Sequence, residues 1–129
     1  MKRNPRAAEN SNLVNRPGII TPSMVRSMNK DPVIFALADP MPEILPGDAL
    51  QAGASIVGTG RNYFPNQTHY AFAFPGIFRG ALDVQATRIS DEMKVAAAHA
   101  LADYVKRPRR DRILPAILDR GVVAAVAGQ

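Results

Sequence analysis

The residues best suited to chemistry gather just after two short apolar runs. Asp39 follows Val33-Ile34-Phe35-Ala36-Leu37, while Arg61, Asn66, Gln67 and His69 follow Ser55-Ile56-Val57-Gly58. The Arg61 guanidinium can pair with a carboxylate or phosphate through its planar fork, or it can be an ordinary surface arginine. Asn66 and Gln67 can donate amide hydrogen bonds to a ligand, and Asn66 equally suits the cap of a following helix. His69 opens that helix as a ligand or structural residue. His99, the only other histidine, falls off the apolar stripe of its own helix and reads as solvated. Gly58-Thr59-Gly60 resembles the start of a phosphate-binding loop, but G-x-G-x-x-G needs a third glycine where Tyr63 stands. No acidic cluster has metal-ligand spacing. Neither catalytic nor metal-ligating residues are therefore assigned from the sequence.

These positions need a scaffold, and the chain supplies signals for one. Thr21-Pro22 starts a short helix, with Thr21 as cap and Pro22 in the first turn. Val33 to Leu37 is an unbroken apolar run and predicts a strand buried on both faces. One or two helical turns are expected over Gly47 to Ala52, then a second strand at Ser55 to Gly58. Strand, helix, strand makes a parallel pair with a right-handed crossover. Asp39-Pro40 and Thr59-Gly60-Arg61 then sit beyond strand ends, where open α/β sheets bind ligands and where simple turns also occur.

The second half reads as helical. A helix is expected from about Thr68 to Val84, kinked or split by Pro75. Ser90 caps the clearest one, with Asp91 and Glu92 at the positive end of its dipole. Met93, Ala96, Ala97, Ala100, Leu101, Tyr104 and Val105 share one face, and Pro108 ends it. A turn or two is expected within Asp111 to Leu118, and a last helical turn over Val122 to Ala127. By domain, residues 1–18 are irregular (at most a stub of strand near Leu13 and Val14), 19–120 form the folded region, and 121–129 are a tail.

The 129 residues fit one small domain. The absence of cysteine excludes disulfides and thiolate metal sites and fits a reducing cytoplasm. Sixteen Lys+Arg against eleven Asp+Glu give +5, concentrated at Lys2, Arg3 and Arg6 and between Lys106 and Arg112. The second run lacks interleaved aromatics for base stacking and is broken by Pro108 and Asp111, so a solvated linker is expected rather than a nucleic-acid surface. No apolar run follows the basic start, so no signal peptide is expected. No stretch approaches the ~20 residues needed to span a bilayer.

The ordered motifs carry a resemblance to a known family. Asn29-Lys30-Asp31-Pro32-Val33-Ile34-Phe35-Ala36-Leu37-Ala38-Asp39-Pro40 resembles the segment around "FALANP" of the malic enzymes. Thr59-Gly60-Arg61 with Pro65-Asn66-Gln67 is similar to their "TGRSDxPNQxNN". Phe74-Pro75-Gly76-Ile77-Phe78-Arg79-Gly80-Ala81-Leu82-Asp83 is similar to their "FPGIFRGALD". The likeness covers about residues 17–120 and is closest to bacterial members.

The resemblance implies a partial Rossmann-like α/β domain: a short, mostly parallel sheet with flanking helices. It implies NAD or NADP as cofactor, Mg or Mn as metal, and oxidative decarboxylation of malate to pyruvate. The family's Tyr/Lys acid–base pair, metal ligands and Gly-rich loop lie upstream of this region, so a fragment inactive alone is expected, with malate and pyruvate as ligands of a complete enzyme only. Arg61, Asn66 and Gln67 match cleft positions of the family, whereas Asp39, His69 and Tyr70 replace its cleft asparagines. An ionised Asp39 only accepts hydrogen bonds and repels a malate carboxylate. The alternative is a non-catalytic module that associates with itself or a complementary chain through an exposed sheet edge.

Overall fold

The computed structural model describes residues 16–128, and the chain divides between Gly60 and Arg61 into two compact units. The strand stub at Leu13 and Val14 and most of the irregular segment 1–18 lie outside the described residues.

In the first unit α1 spans Pro22–Arg26. Thr21 Oγ1 accepts from the Met24 amide at 3.3 Å and Pro22 occupies the first turn, as the sequence predicts. Strand β1 (Val33–Ala36) pairs in parallel with β2 (Ile56–Thr59), in the register Val33–Ile56 to Ala36–Thr59. Helix α2 (Pro46–Gln51) joins them. It ends at Gly53, whose φ of +107° lets the Ala54 amide reach back to the Ala49 carbonyl at 2.9 Å. Val25, Ile34, Ala36, Ile44, Ala49 and Val57 close one small core between strands and helices.

The expectation that β1 is buried on both faces is corrected. Ile34 and Ala36 point into the core, but Val33 and Phe35 are 47% and 48% exposed. The cluster that covers β1 draws on α1 and α2 and lies on one side of the strand, so the run alternates as a half-covered strand does. Strand β2 remains buried from Val57 through Thr59.

The second unit is helical. The expected helix over 68–84 is split: Tyr70–Phe72 form a single 3-10 turn, and α3 runs Phe74–Asp83 with Pro75 in its first turn. Proline lacks the amide that a continuous helix would use, so it starts a helix more readily than it sits inside one. Helix α3 ends in a Schellman arrangement. The Ala86 amide bonds the Ala81 carbonyl at 2.8 Å, and Gln85 bonds Leu82 at 3.1 Å with φ +52°.

Helix α4 (Asp91–Tyr104) starts as predicted, with Ser90 Oγ accepting from the Met93 amide at 3.3 Å. Its buried face carries Ala97 and Ala100, while His99 is exposed. Lys94, hydrogen-bonded to Asp91, holds that carboxyl below its ordinary range, and the Ser90 hydroxyl does the same for Glu92.

Residues set apart in the sequence as a tail form α5 (Gly121–Ala127), whose Val122 and Val126 enter the core with Ala97, Ala100, Ile77 and Leu101. Close approach of α5 to α3 depends on two glycines one turn apart. A Cβ on Gly76 would lie 2.5 Å from Val126 Cβ, and one on Gly80 would lie 2.9 Å from the Ala127 carbonyl oxygen.

The turn or two of helix expected within Asp111 to Leu118 does not form. Arg109 and Arg112 instead close a tight antiparallel turn, with their amides and carbonyls exchanged at 3.1 and 2.9 Å.

Candidate functional site

Within the first unit the parallel pairing sends both strands out at one end of the sheet. The loop after β1 therefore shares that end with Gly60, which follows β2 directly. The β1 loop is held in shape by Glu43. Its Oε2 accepts from the Ala38 amide at 2.9 Å, and its own carbonyl accepts from the Ile20 amide at 3.1 Å. Asp39, preceding a cis bond to Pro40, stands exposed on this loop. Thr59, at the tip of β2 and paired with Ala36, is completely buried. One exposed carboxylate is thus carried where a parallel sheet offers its ligand-binding end. Glu43 was not singled out in the sequence; an acid inside a proline-rich loop is the signal that identifies it.

The remaining sequence-predicted residues belong to the second unit. Asn66 is 7% exposed and has a φ of +54°. Its Nδ2 donates to the Arg110 carbonyl at 2.7 Å, and its Oδ1 accepts from the Ile113 amide at 2.8 Å. Both ends of this amide are therefore engaged with main chain on either side of Asp111. Pro115 lacks an amide and disfavours helical geometry at Leu114, and Asn66 holds the tight turn that forms instead. Asn66 is not the cap of the following turn. That place belongs to His69, whose Nδ1 accepts from the Ala71 amide at 3.1 Å. An accepting Nδ1 requires the proton of the neutral ring to be on Nε2.

Gln67 is half-buried and, with Asn66, Asp111 and Arg112, lines a cavity of about 250 Å³. Tyr70 is exposed, its ring stacked obliquely between His69 at 4.0 Å and Phe74 at 5.5 Å. Arg61 is half-buried at the start of the unit. The structure thus groups Asn66 and Gln67 around one cavity and gives Asn66 and His69 defined backbone partners. Among the described residues no three His, Asp or Glu side chains are grouped so as to hold a metal ion.

A second side-chain clamp escaped the sequence reading. Tyr104 donates its hydroxyl to Asp119 Oδ1 at 2.8 Å, and the same oxygen accepts the Gly121 amide at 3.0 Å. Donation to a carboxylate pushes the Tyr104 phenol above its ordinary value, with burial and the negative charge of Asp119 acting the same way. The clamp sets the start of α5. A side chain on Gly121 would collide with the tyrosine hydroxyl.

Fold and motifs together define a Rossmann-like α/β protein. The chain belongs to the malic enzyme family, whose NAD-binding-domain model matches residues 13–128. It is 57% identical over 112 residues to a bifunctional malic/malolactic enzyme of Bacillus subtilis (strain 168), covering 85% of this chain and 27% of that protein. With an NAD-dependent malic enzyme of Geobacillus stearothermophilus it shares 42% over 115 residues, 88% of this chain and 24% of the other. The solved malic enzyme of Pyrococcus horikoshii superposes with a TM-score of 0.83 at 50% identity, over 88% of this chain and 26% of that one. The chain therefore spans about a quarter of the length of these relatives, and its Rossmann-like character is that of their NAD-binding domain.

Proposed function

We propose that this chain forms one part of the NAD(P)-binding domain of a malate-oxidising, decarboxylating enzyme and does not turn over malate by itself. The observation that carries this reading is Asp39, an exposed carboxylate on the loop that β1 delivers to the ligand-binding end of the sheet. Where the family resemblance implies a neutral amide, an anion repels the carboxylates of malate. Tyr70 adds a bulky exposed ring at a second such position. Arg61 and Gln67 are the polar residues offered to nucleotide or substrate, as a fork for an anion and as an amide donor.

The relatives' printed names imply NAD or NADP, and the family resemblance implies Mg or Mn. The residues described here do not fit a divalent ion, because no cluster of three acidic or histidine side chains exists among them. Nor do they supply a G-x-G-x-x-G cradle for a pyrophosphate, since Tyr63 stands at the third glycine. No helix among the described residues is long and apolar enough to cross a membrane.

The test is direct. Purified chain is incubated with malate, Mg²⁺ or Mn²⁺, and NAD or NADP, and nicotinamide reduction is followed. No rate above the blank is expected. Clear turnover would contradict the reading.

A second reading has its own observation. Val33, Phe35 and Leu37 are each about half exposed along the uncovered face of β1, in a sheet of two strands. Such a face suits pairing with a second copy or a complementary chain. Light scattering after size exclusion decides this. A discrete oligomer that Phe35→Lys dissociates supports the module, and a monomer rejects it.

A further inference from the structure

The basic run from Lys106 to Arg112, expected to be a solvated linker, has a defined shape. Arg109 and Arg112 close the tight turn, and the buried amide of Asn66 grips it through the Arg110 carbonyl and the Ile113 amide. Within the run Arg109 pairs with Asp111 at 3.3 Å. Lys106, Arg107 and Arg112 line a separate cavity of about 330 Å³ together with Tyr104, Pro115 and Asp119. Among the described residues none of these three cations is in an ion pair. The cavity's one carboxylate, Asp119, already accepts from Tyr104 and from the Gly121 amide. Three cations against that carboxylate leave two positive charges in excess.

The negative end of the α4 dipole explains Lys106 and Arg107. It does not explain why Arg112, fixed on a braced turn, lines the same hollow. We propose that this cavity is a binding site for a compact polyanion carrying adjacent phosphates. The guanidinium forks of Arg107 and Arg112 suit phosphate oxygens, which they can engage two at a time, and the Lys106 ammonium acts as a mobile point charge. The excess of two charges selects a diphosphate over a monoanion. The volume is at the lower end of small-ligand sites, which selects a small molecule over a polymer. A nucleic acid would in addition need a series of aromatic rings for successive bases, whereas Tyr104 is the single aromatic residue lining the cavity and its hydroxyl is engaged by Asp119. This inference stands independently of the malic-enzyme reading, because it uses only residues 66 and 104–121.

Inorganic pyrophosphate is the probe. Titration calorimetry on the full chain is expected to show saturable one-to-one binding that weakens as salt rises. Arg107→Ala with Arg112→Ala should weaken it at least tenfold. Lys30→Ala with Arg88→Ala removes the same charge from exposed positions outside the cavity and should change it less than twofold. Equal weakening by both pairs means bulk charge attraction and overturns the proposal, as does the absence of saturation at millimolar pyrophosphate. If the first pair fails to fold, amide shifts of the wild-type chain decide. Shifts centred on residues 104–112 support the site, and shifts confined elsewhere overturn it.

Discussion

Asn66 and Asp39, both within the motifs that carry the family resemblance, sit in physically different places. Asn66, in the second unit, matches the family motif and is buried, with its amide clamped to main chain 44 and 47 residues away. Asp39, in the first unit, departs from the motif and is exposed on a loop whose shape is set by Glu43. Tyr70 departs as well and is 65% exposed. Asn66 is a residue the fold itself needs, whereas Asp39 and Tyr70 lie where the surface accepts many side chains.

The largest expected effect breaks the clamp. Asn66→Ala leaves the Arg110 carbonyl and the Ile113 amide without these partners and puts alanine at a left-handed φ. A loss of about 2–4 kcal/mol in urea unfolding is expected. Gly76→Ala comes next. Its methyl collides with Val126 and forces α5 from α3. Overpacking costs about 1–3 kcal/mol, partly offset by the ~1 kcal/mol better helix propensity of alanine, so a modest net loss in melting temperature is expected.

A smaller effect follows pH. Tyr104 has its phenol raised by donation to Asp119. A folded value above the unfolded one means that its contribution is fully present below about pH 10, the ordinary tyrosine value, and is lost as pH rises through the folded value. Thermal melts across the alkaline range should show this decline, and Tyr104→Phe should flatten it. The smallest change is a gain. Gln85→Gly relieves a non-glycine residue at φ +52° that closes the end of α3. About 0.5–1 kcal/mol of stabilisation is expected in chemical denaturation.

Local signals were legible in the sequence. Thr21-Pro22 and Ser90 start helices where their side chains can bond amides three residues on, and two short apolar runs give the parallel pair. Pro75 marked a break, though the sequence left kink and split equally open. The errors share one cause, dependence on distant residues. Whether β1 is covered on one face or two depends on what packs over it, which its own letters do not encode. The tight turn at 109–112 is held by an asparagine far upstream, which the letters of the segment itself do not encode. The sequence leaves His69 open between a ligand and a structural role, because a ring that caps the next turn has the same letter as one that meets a ligand.

Amide hydrogen exchange at Ile113 tests the comparison most directly. This amide should be protected in the wild-type chain and in Asp39→Asn with Tyr70→Asn, and should exchange rapidly in Asn66→Ala. Fast exchange in the wild type, or equal loss of protection in the Asp39/Tyr70 pair, would contradict the division between residues that hold the fold and residues that do not.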